Sequence, residues 1–461
     1  MFHSALLKSI KEGDKLLGHE AEIRAELAKN PKSIVILDDD PTGTQTVCNV
    51  PVITEWTEEI LEKELLASPV FFILTNSRSL QADEANVLGQ LLGERLQKLA
   101  DKHQKKLIVI SRSDSTLRGH YPNEVDALAK GMNVKEARQI LAPAFFEGGR
   151  YTFDDTHYVK EGNEFVPAAD TPFAKDNTFG YKSSNLKDWI VEKSEGKVDK
   201  NSISSISVQS LRNKSSEEIK SKIEQPETTH IITNATSYTD LQAMALAILK
   251  SDSSLVFRTA ASFINAISGI AIKPCLTKDQ ILKTPSLNGA LLVIGSYVPK
   301  TTAQLAYLKE RSNAIFLELD VTNVFDIGVF CKELVLLVEK VESSLKTGKD
   351  VVIFTSREVK KGTTKNESLD IVNRVSNALI SVIKKIRVQP KYILAKGGIT
   401  SSDIATKGLN VRRANVLGQV LKGVPVWQLD KDAKFPNMAY IVFPGNVGDD
   451  MALYELISLL K

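Results

Sequence analysis

Short apolar runs, each followed by a polar or glycine-containing turn and then a stretch of helical period, recur along this chain. These runs are too short for helices and are rich in β-branched residues, which predicts buried strands. Strands that alternate with helices indicate parallel sheets with helices on their faces. The predicted strands of the first half are IVIL (34–37), VFFIL (70–74), LIVIS (107–111) and HIIT (230–233).

The same alternation begins again in the second half, and a length of 461 residues also favours two or more domains over one. We predict an α/β fold of two domains, each a mainly parallel sheet flanked by helices. The predicted boundaries are 1–33 for an N-terminal helical extension, 34–275 for the first domain and 276–461 for the second. The strands of the second half are ALLVIG (290–295), IFLEL (315–319), VVIF (351–354), YILA (392–395) and YIVF (440–443).

Two segments of the first half have patterns of their own. The polar stretch 150–201 has few strand signals and many Gly, Asp and Lys residues, which is typical of a long excursion or a lid over a site. A helix is predicted after the strand 70–74, because apolar residues recur there at the spacing of one helix face. They are Val87, Leu88, Leu91, Leu92, Leu96 and Leu99.

Charge, hydrophobicity and cysteine content limit the partners and the cellular location that we expect for the protein. The net charge of +3 is spread over 59 basic and 56 acidic residues without a dense basic block, which argues against nucleic acid as a partner. No run of eighteen or more apolar residues is present, so no membrane span is predicted. Cys48, Cys275 and Cys331 match no metal-ligand spacing, and the N-terminus lacks a secretory signal, so we expect a cytoplasmic location.

Polar side chains follow the predicted strands of the first half, at the strand ends where ligands bind in open parallel sheets. Asp38, Asp39 and Asp40 follow the first strand, and three adjacent carboxylates normally need a metal, basic neighbours or open solvent. A capped turn at Asp-Pro-Thr-Gly is the alternative. Arginines and hydroxyls after the next two strands suit a polyhydroxylated carboxylate, although a loop-tying ion-pair network would use the same residues. They are Arg78, Arg112, Ser113, Asp114, Ser115 and Arg118.

Small residues follow the predicted strands of the second half instead. Glycine lets backbone N–H groups approach a ligand closely, and a Gly-Gly-x-Thr-Ser turn that opens a helix offers them to a phosphate. Three such loops in one domain indicate a nucleotide or another phosphate ligand, although the chain has neither a P-loop sequence nor a GxGxxG fingerprint. The loops begin at Gly295-Ser296, at Gly397-Gly398-Ile399-Thr400 and at Pro444-Gly445-Asn446.

Seven motifs, in this order along the chain, resemble those of the four-carbon acid sugar kinase family. The resemblance covers nearly the whole chain from about residue 34. The set is highly specific, whereas any one motif alone is weak. The motifs are DDPTG (39–43), TNSR (75–78), SDSTLRG (113–119), RTAASF (258–263), GS (295–296), GGITSSD (397–403) and PGNVG (444–448).

The resemblance implies an acid-sugar-binding first domain, a nucleotide-binding second domain and an active site in the cleft between them. There the γ-phosphoryl group of ATP would pass to a hydroxyl of a tetronate-like substrate, with Mg²⁺ bridging the phosphates. The implied substrate-binding residues are Asp39, Asp40, Arg78, Arg112, Ser113, Asp114 and Ser115. The implied nucleotide-binding residues are Ser296, Gly397, Gly398, Ile399, Thr400, Gly445 and Asn446.

Several alternatives stay open at this point. Asp39 or Asp114 would accept the proton of the attacking hydroxyl while Arg78 and Arg112 hold the substrate carboxylate. The chain departs from the family pattern at Arg112, where many members have lysine, and in its last glycine loop, which puts the identity of the acid in question. Threonate, erythronate and a 3-oxo-tetronate are candidates, and no metal ligands can be assigned. A sugar-acid sensor and a Mg²⁺-dependent phosphatase are the rival functions, and a homodimer is compatible with paired α/β domains.

Overall fold

The structure, a computed structural model, describes residues 2–357 and 365–461. The chain divides into two compact units, Met1–Ile272 (unit 1) and Lys273–Lys461 (unit 2). None of the helices in the described part of the chain is long and apolar enough to cross a bilayer. The domain boundaries expected from the sequence stay predictions.

The strands of unit 1 form two sheets. They are β1 (Lys32–Asp38), β2 (Val50–Ile53), β3 (Val70–Leu74), β4 (Lys106–Arg112), β5 (Arg138–Ala142), β6 (Arg150–Phe153), β7 (Thr156–Glu161), β8 (Glu164–Pro167), β9 (Ile203–Ile206), β10 (His230–Thr233) and β11 (Leu255–Thr259). The main sheet has the order β2-β3-β1-β4-β11-β5-β10-β9, and its pairings are parallel. Its strands are mostly buried, because uninterrupted apolar runs suit a sheet covered on both faces.

The helices of unit 1 pack against this sheet. They are α1 (Phe2–Gly13), α2 (Glu20–Lys29), α3 (Glu58–Ala67), α4 (Ala82–His103), α5 (Asn123–Gly131), α6 (Leu186–Lys193), α7 (Val208–Asn213), α8 (Ser216–Ile223), α9 (Tyr238–Lys250) and α10 (Ala261–Ser268). The helix predicted after the second strand is confirmed as α4, but Val87 is 69% exposed and does not belong to its buried face. The N-terminal segment forms α1 and α2, whose Leu6 and Ile23 are buried.

The segment 150–201 contains more strand than its sequence indicates. β6, β7 and β8 form an antiparallel three-stranded sheet, and α6 follows. Trp189 of α6 is fully buried and stacks on Tyr121, with ring centroids 4.6 Å apart. The strand signals in the sequence are weak here because these short strands mix polar and apolar residues and lack a continuous apolar run. The long excursion or lid stays a prediction.

Unit 2 is a smaller α/β unit with a mixed sheet. Its strands are β12 (Leu291–Ile294), β13 (Ile315–Leu319), β14 (Val351–Thr355), β15 (Ile393–Lys396), β16 (Arg413–Leu421), β17 (Val424–Leu429) and β18 (Ala439–Phe443). Its helices are α11 (Lys278–Ile281), α12 (Pro299–Arg311), α13 (Ile327–Lys346), α14 (Lys365–Lys385), α15 (Gly398–Asp403) and α16 (Ala452–Leu460). The order is β13-β14-β12-β15-β18-β17-β16, parallel through β18 and antiparallel beyond it.

The nine strands predicted from apolar runs are all confirmed. They correspond to β1, β3, β4 and β10 in unit 1 and to β12, β13, β14, β15 and β18 in unit 2. The fold is therefore α/β with two mainly parallel sheets, as predicted. In both units the polar loops identified above follow the carboxyl ends of these strands.

Candidate functional site

Carboxylates occupy the end of β1 in unit 1. Asp38 is the last residue of the strand, Asp39 follows, and both side chains are buried. Asp40 caps the turn that comes next, because its Oδ1 accepts a hydrogen bond from the Thr42 backbone N–H at 2.9 Å. A Cβ on Gly43 would overlap the Asp38 carboxyl group, so this turn needs glycine for close packing rather than for backbone freedom.

Two arginines from the neighbouring strand ends neutralise these carboxylates. β3, β1 and β4 are adjacent in the sheet, which brings the segments after their carboxyl ends together. Arg112 Nη1 lies 3.2 Å from Asp38 Oδ1 and 3.5 Å from Asp39 Oδ1. Arg78 pairs with Asp40, and its Nε lies 3.8 Å from Asp39 Oδ2. The three aspartates thus have basic neighbours, which is one of the three arrangements that allow adjacent carboxylates.

Asp114 joins the same cluster from the loop after β4. Its Oδ1 lies 3.3 Å from Arg78 Nη1, and its Oδ2 accepts a hydrogen bond of 2.8 Å from Arg118 Nε. Thr116 donates to the same oxygen. Both carboxylate oxygens of Asp114 are therefore engaged, and the loop from Asp114 to Arg118 is tied together by its own side chains.

Arg258, near the carboxyl end of β11, is buried and donates hydrogen bonds to the backbone of this loop. It is 1% exposed, and its Nη2 donates to the carbonyl oxygens of Asp114 at 2.8 Å and Arg118 at 3.1 Å. Arg258 belongs to the RTAASF motif, but it was not predicted as a site residue. Its strand position next to β4 is the signal that identifies it, and that adjacency follows from the sheet order rather than from the sequence.

The remaining predicted residues of unit 1 also lie at these strand ends. Ser113 and Ser115 are buried, and the Ser115 carbonyl oxygen lies 2.7 Å from His157 Nε2. Ser113 N–H donates to the Thr259 carbonyl at 3.0 Å. In these contacts the two serines take part through their backbones, which fix the loop at the edge of the cluster.

The electrostatic environment shifts the pKa values of the aspartates of the cluster in opposite directions. Burial raises the pKa of Asp38 to about 8, against the opposing effect of Arg112. Burial also raises the pKa of Asp39, outweighing Arg78 and Arg112. Burial acts the same way on Asp114, but Arg118 and Arg78 outweigh it and hold the pKa of Asp114 well below its usual range. Asp39 is thus far more ready than Asp114 to accept a proton at neutral pH.

Unit 2 has a cavity of about 260 Å³ at the carboxyl ends of β12, β14 and β15. Gly397 has φ +115°, and a Cβ on Gly295 would overlap Thr400 Oγ1, so both loops need glycine. The Gly-Gly turn opens α15, as predicted from the sequence. The lining residues include Gly295, Ser296, Thr355, Gly397, Gly398, Ile399 and Thr400.

The third glycine loop packs behind this cavity. Thr301 Oγ1 lies 3.2 Å from both Ser296 Oγ and the Gly445 carbonyl oxygen, and so links two of the loops. Lys396 is fully buried and donates from Nζ to the Pro444 carbonyl at 3.0 Å. Gly445 and Asn446 are not among the residues that line the cavity, and Asn446 is exposed.

Two family models match the chain, one for each group of loops. A model described as a sugar-binding N-terminal domain matches residues 34–267, and one described as a nucleotide-binding C-terminal domain matches residues 291–453. The chain belongs to the four-carbon acid sugar kinase family. It therefore carries a sugar-binding domain with the aspartate–arginine cluster and a nucleotide-binding domain with the glycine-lined cavity.

Two of the solved structures that are similar to this chain come from bacteria. A protein from Salmonella typhimurium LT2, assigned provisionally as a tRNA synthase, is 15% identical, with 93% of this chain and 98% of that chain covered and a TM-score of 0.67. A Haemophilus influenzae protein is 16% identical, with 93% and 100% covered and a TM-score of 0.61. At these identities the likeness concerns the fold alone. No curated protein sequence matches the chain significantly.

Proposed function

We propose that this protein is a kinase that transfers the γ-phosphoryl group of ATP to a hydroxyl of a four-carbon sugar acid of the threonate, erythronate or 3-oxo-tetronate type. The observation that carries the proposal is the burial of the Asp39 carboxylate together with its free oxygen. Its Oδ2 is buried and accepts no hydrogen bond from the residues that the structure describes, while arginines lie on two sides of the carboxylate. A buried carboxylate with a raised pKa and a free oxygen suits a general base.

Asp39 is the better of the two candidate bases. Arg118 and Thr116 bind one Asp114 oxygen and Arg78 lies beside the other, so a proton could reach Asp114 only by displacing these partners. Asp39 Oδ2 has no hydrogen-bond partner in the described part of the chain, and Arg78 Nε lies 3.8 Å from it, beyond hydrogen-bond distance. We therefore assign proton acceptance to Asp39 and loop positioning to Asp114.

The arginines supply the charge that an acid substrate requires. Arg78 is partly exposed and Arg112 is buried, so Arg78 is the guanidinium that can turn toward a carboxylate of the substrate. Arg112 keeps Asp38 and Asp39 in place. In the reaction, the substrate hydroxyl oxygen bonds to the γ-phosphorus and its proton passes to Asp39 Oδ2. The bond from the γ-phosphorus to the β–γ bridging oxygen breaks, and its electron pair leaves with ADP.

ATP would occupy the cavity of unit 2 with its phosphates at the glycine loops. The Gly397 N–H donates to the Phe443 carbonyl oxygen at 2.9 Å, so the phosphates would bind the backbone N–H groups of Gly398, Ile399 and Thr400. No side chain at Gly295 or Gly397 blocks the approach. No group of three or more His, Cys, Asp or Glu side chains among the described residues is arranged to hold a metal ion. Magnesium would therefore enter as the MgATP complex, with the phosphates supplying most of its ligands.

The test is consumption of MgATP by the purified protein against four-carbon sugar acids and their 3-oxo forms, with glycerate and longer aldonates as controls. We expect ADP to form only when one of the four-carbon acids is present. Phosphate release from a phosphorylated acid without ATP would show a phosphatase instead, and acid binding without turnover would show a sensor. Either result would overturn the proposal.

A further inference from the structure

A second cavity of unit 1, with a volume of about 480 Å³, lies beside α5 and has no role in the reaction proposed above. It is lined by the start of α5, the end of α6 and residues of β5 and β10. Cavities of this size are typical of small-molecule sites. The side chains that define its chemistry are His120, Asp126, Gln139, Lys193 and His230.

Two buried polar side chains in this cavity have an unpaired atom. Gln139 is 8% exposed; its Nε2 donates to Asp126 Oδ1 at 2.7 Å, but its Oε1 has no partner among the described residues. His230 is 6% exposed; its Nδ1 lies 2.9 Å from Thr229 Oγ1, and its Nε2 has no partner in the same part of the chain. The two residues are direct neighbours across β5 and β10. Since buried polar atoms in native proteins are almost always paired, this pair indicates a ligand.

Two lysines line the same cavity, and Lys197 Nζ lies 3.7 Å from Glu195 Oε2. Lys193 is half-buried and donates from Nζ to the Gly180 carbonyl at 3.3 Å, but it forms no ion pair among the described residues. Burial lowers the pKa of His230 to about 4, so this imidazole is neutral at physiological pH. The cavity thus combines two lysine ammonium groups with neutral and carboxylate acceptors.

We propose that this cavity binds a small polyhydroxylated anion, a sugar acid or its phosphorylated form, at a site separate from the aspartate–arginine cluster. Lys193 binds the anionic group. Gln139 Oε1 and Asp126 accept hydrogen bonds from hydroxyls of the ligand, and His230 Nε2 pairs with another hydroxyl. A hydroxyl can donate or accept, so it satisfies His230 in either tautomer.

The position of the cavity connects it to the cluster. His120 lines the cavity, and its Nε2 lies 3.1 Å from the carbonyl oxygen of Ser77, the residue directly before Arg78. Gly119 lines it too, and a Cβ there would lie 3.6 Å from Asp39 Oδ2. The segment from Gly119 to Pro122 therefore lies between the cavity and the residues Arg78 and Asp39 of the cluster.

Ring NMR signals of His230 provide a direct test that does not depend on phosphoryl transfer. The chain has six histidines, so these signals can be assigned with a His230→Gln variant. We expect saturable shifts of the His230 ring on addition of threonate or of phosphorylated threonate, and the tighter of the two probes identifies the anionic group. The readout stays valid whether or not ATP is consumed, so failure of the kinase proposal and failure of this one are distinguishable.

Lys193→Met supplies the decisive variant, because it removes the ammonium group and keeps the apolar stem. We expect it to weaken binding at His230 roughly tenfold or more, as for the loss of a charged hydrogen-bonding group. Lys200→Met, in the same region but outside the cavity, is the matched control and should leave the affinity unchanged. Three outcomes would each overturn the proposal. They are a His230 signal that does not move, an unchanged affinity in Lys193→Met, and tighter binding of the amino acid serine than of either sugar acid.

Discussion

The two units use the carboxyl ends of their parallel strands in opposite ways. In unit 1 these ends carry Asp38, Asp39, Arg78 and Arg112, which form a largely buried network of charges. In unit 2 the corresponding ends carry glycines and hydroxyl residues around an open cavity, and the side chain of Lys396 is buried behind it. The same strand–helix alternation thus supports a site made of side chains in one unit and a site made of backbone in the other.

This difference has a physical cause. A buried ion cluster fixes the positions and charges of its members, so it can discriminate the shape of a small acid, but each unpaired member is costly. Backbone N–H groups at glycine turns bind phosphate without a titratable group, so they tolerate changes in pH and in the rest of the ligand. We therefore expect specificity for the acid to reside in unit 1 and general affinity for the nucleotide in unit 2.

The largest expected effect comes from Asp39→Asn, which removes a carboxylate from the charged site of unit 1. The substitution keeps the shape of the side chain but removes the proton acceptor, so we expect kcat to fall by about 10³-fold, within the range of general-base catalysis. ATP binding should be unchanged, because the glycine loops belong to unit 2. Steady-state kinetics and nucleotide titration measure the two quantities.

Asp114→Asn is the matched comparison for this variant. Asp114 positions the loop through Arg118 and Arg78, so its loss should raise KM for the acid more than it lowers kcat. Full activity of Asp39→Asn combined with an inactive Asp114→Asn would reverse the roles of the two carboxylates and contradict the assignment of the base.

The next largest effect is expected from Gly295→Ala, which tests the backbone site. The added Cβ would overlap Thr400 Oγ1 and lie 3.1 Å from Leu379 Cδ1, inside the cavity wall. We expect ATP affinity to fall by about 10²-fold, since a misplaced phosphate loop loses several hydrogen bonds at once, while acid binding stays intact. Gly328→Ala, at the exposed start of α13 in the same unit, is the control. Equal ATP affinity in both variants would show that the glycine loops do not bind the nucleotide.

A smaller effect is expected from Gly43→Ala, where glycine serves the charged site instead. A Cβ there would overlap the Asp38 carboxyl, which is held by Arg112 and cannot easily move. We expect a loss of stability of about 1–3 kcal/mol, typical of overpacking in a core, together with weaker acid binding and normal ATP binding. Denaturant unfolding and ligand titration would detect these changes. A variant that weakened ATP binding instead would contradict the separation of the two sites.

The sequence predicted strands well where apolar residues are continuous and poorly where polar residues interrupt them. β1 and β12 consist of uninterrupted runs and were predicted. β5 (RQILA) and β11 (LVFRT) carry charged or amide side chains at one end and were missed. Their burial depends on neighbours that are distant in sequence, because β11 lies between β4 and β5 in the sheet.

The candidate site was predictable in its residue types but not in its contacts. Asp39, Arg78 and Asp114 were predicted from their positions after strands, and the structure brings them together. The support from Arg258 was not predicted, since it acts on carbonyl oxygens of a loop 144 residues earlier in the chain. The distinction between Asp39 and Asp114 also required coordinates, because it depends on which carboxylate oxygens already have partners.

The smallest predicted effect concerns Lys396, which is buried behind the glycine loops of unit 2. Burial lowers the pKa of Lys396 from 10.5 to about 7 in the folded chain. Between these pH values the unfolded chain binds a proton that the folded chain lacks, so this group makes stability rise with pH, by about 1.4 kcal/mol per pH unit. Below pH 7 both states are protonated and its contribution no longer changes.

Lys396→Met should abolish this rise, while Lys346→Met, at the exposed C-terminal end of α13 in the same unit, should retain it. Denaturant midpoints for the three proteins, measured from pH 7 up to 10.5, the ordinary pKa of a lysine, give the comparison directly. Parallel curves for wild type and Lys396→Met would mean that Lys396 stays protonated when folded. In that case unit 2 would hold a permanent positive charge behind its glycine loops, and the contrast between a charged and an uncharged site would have to be abandoned.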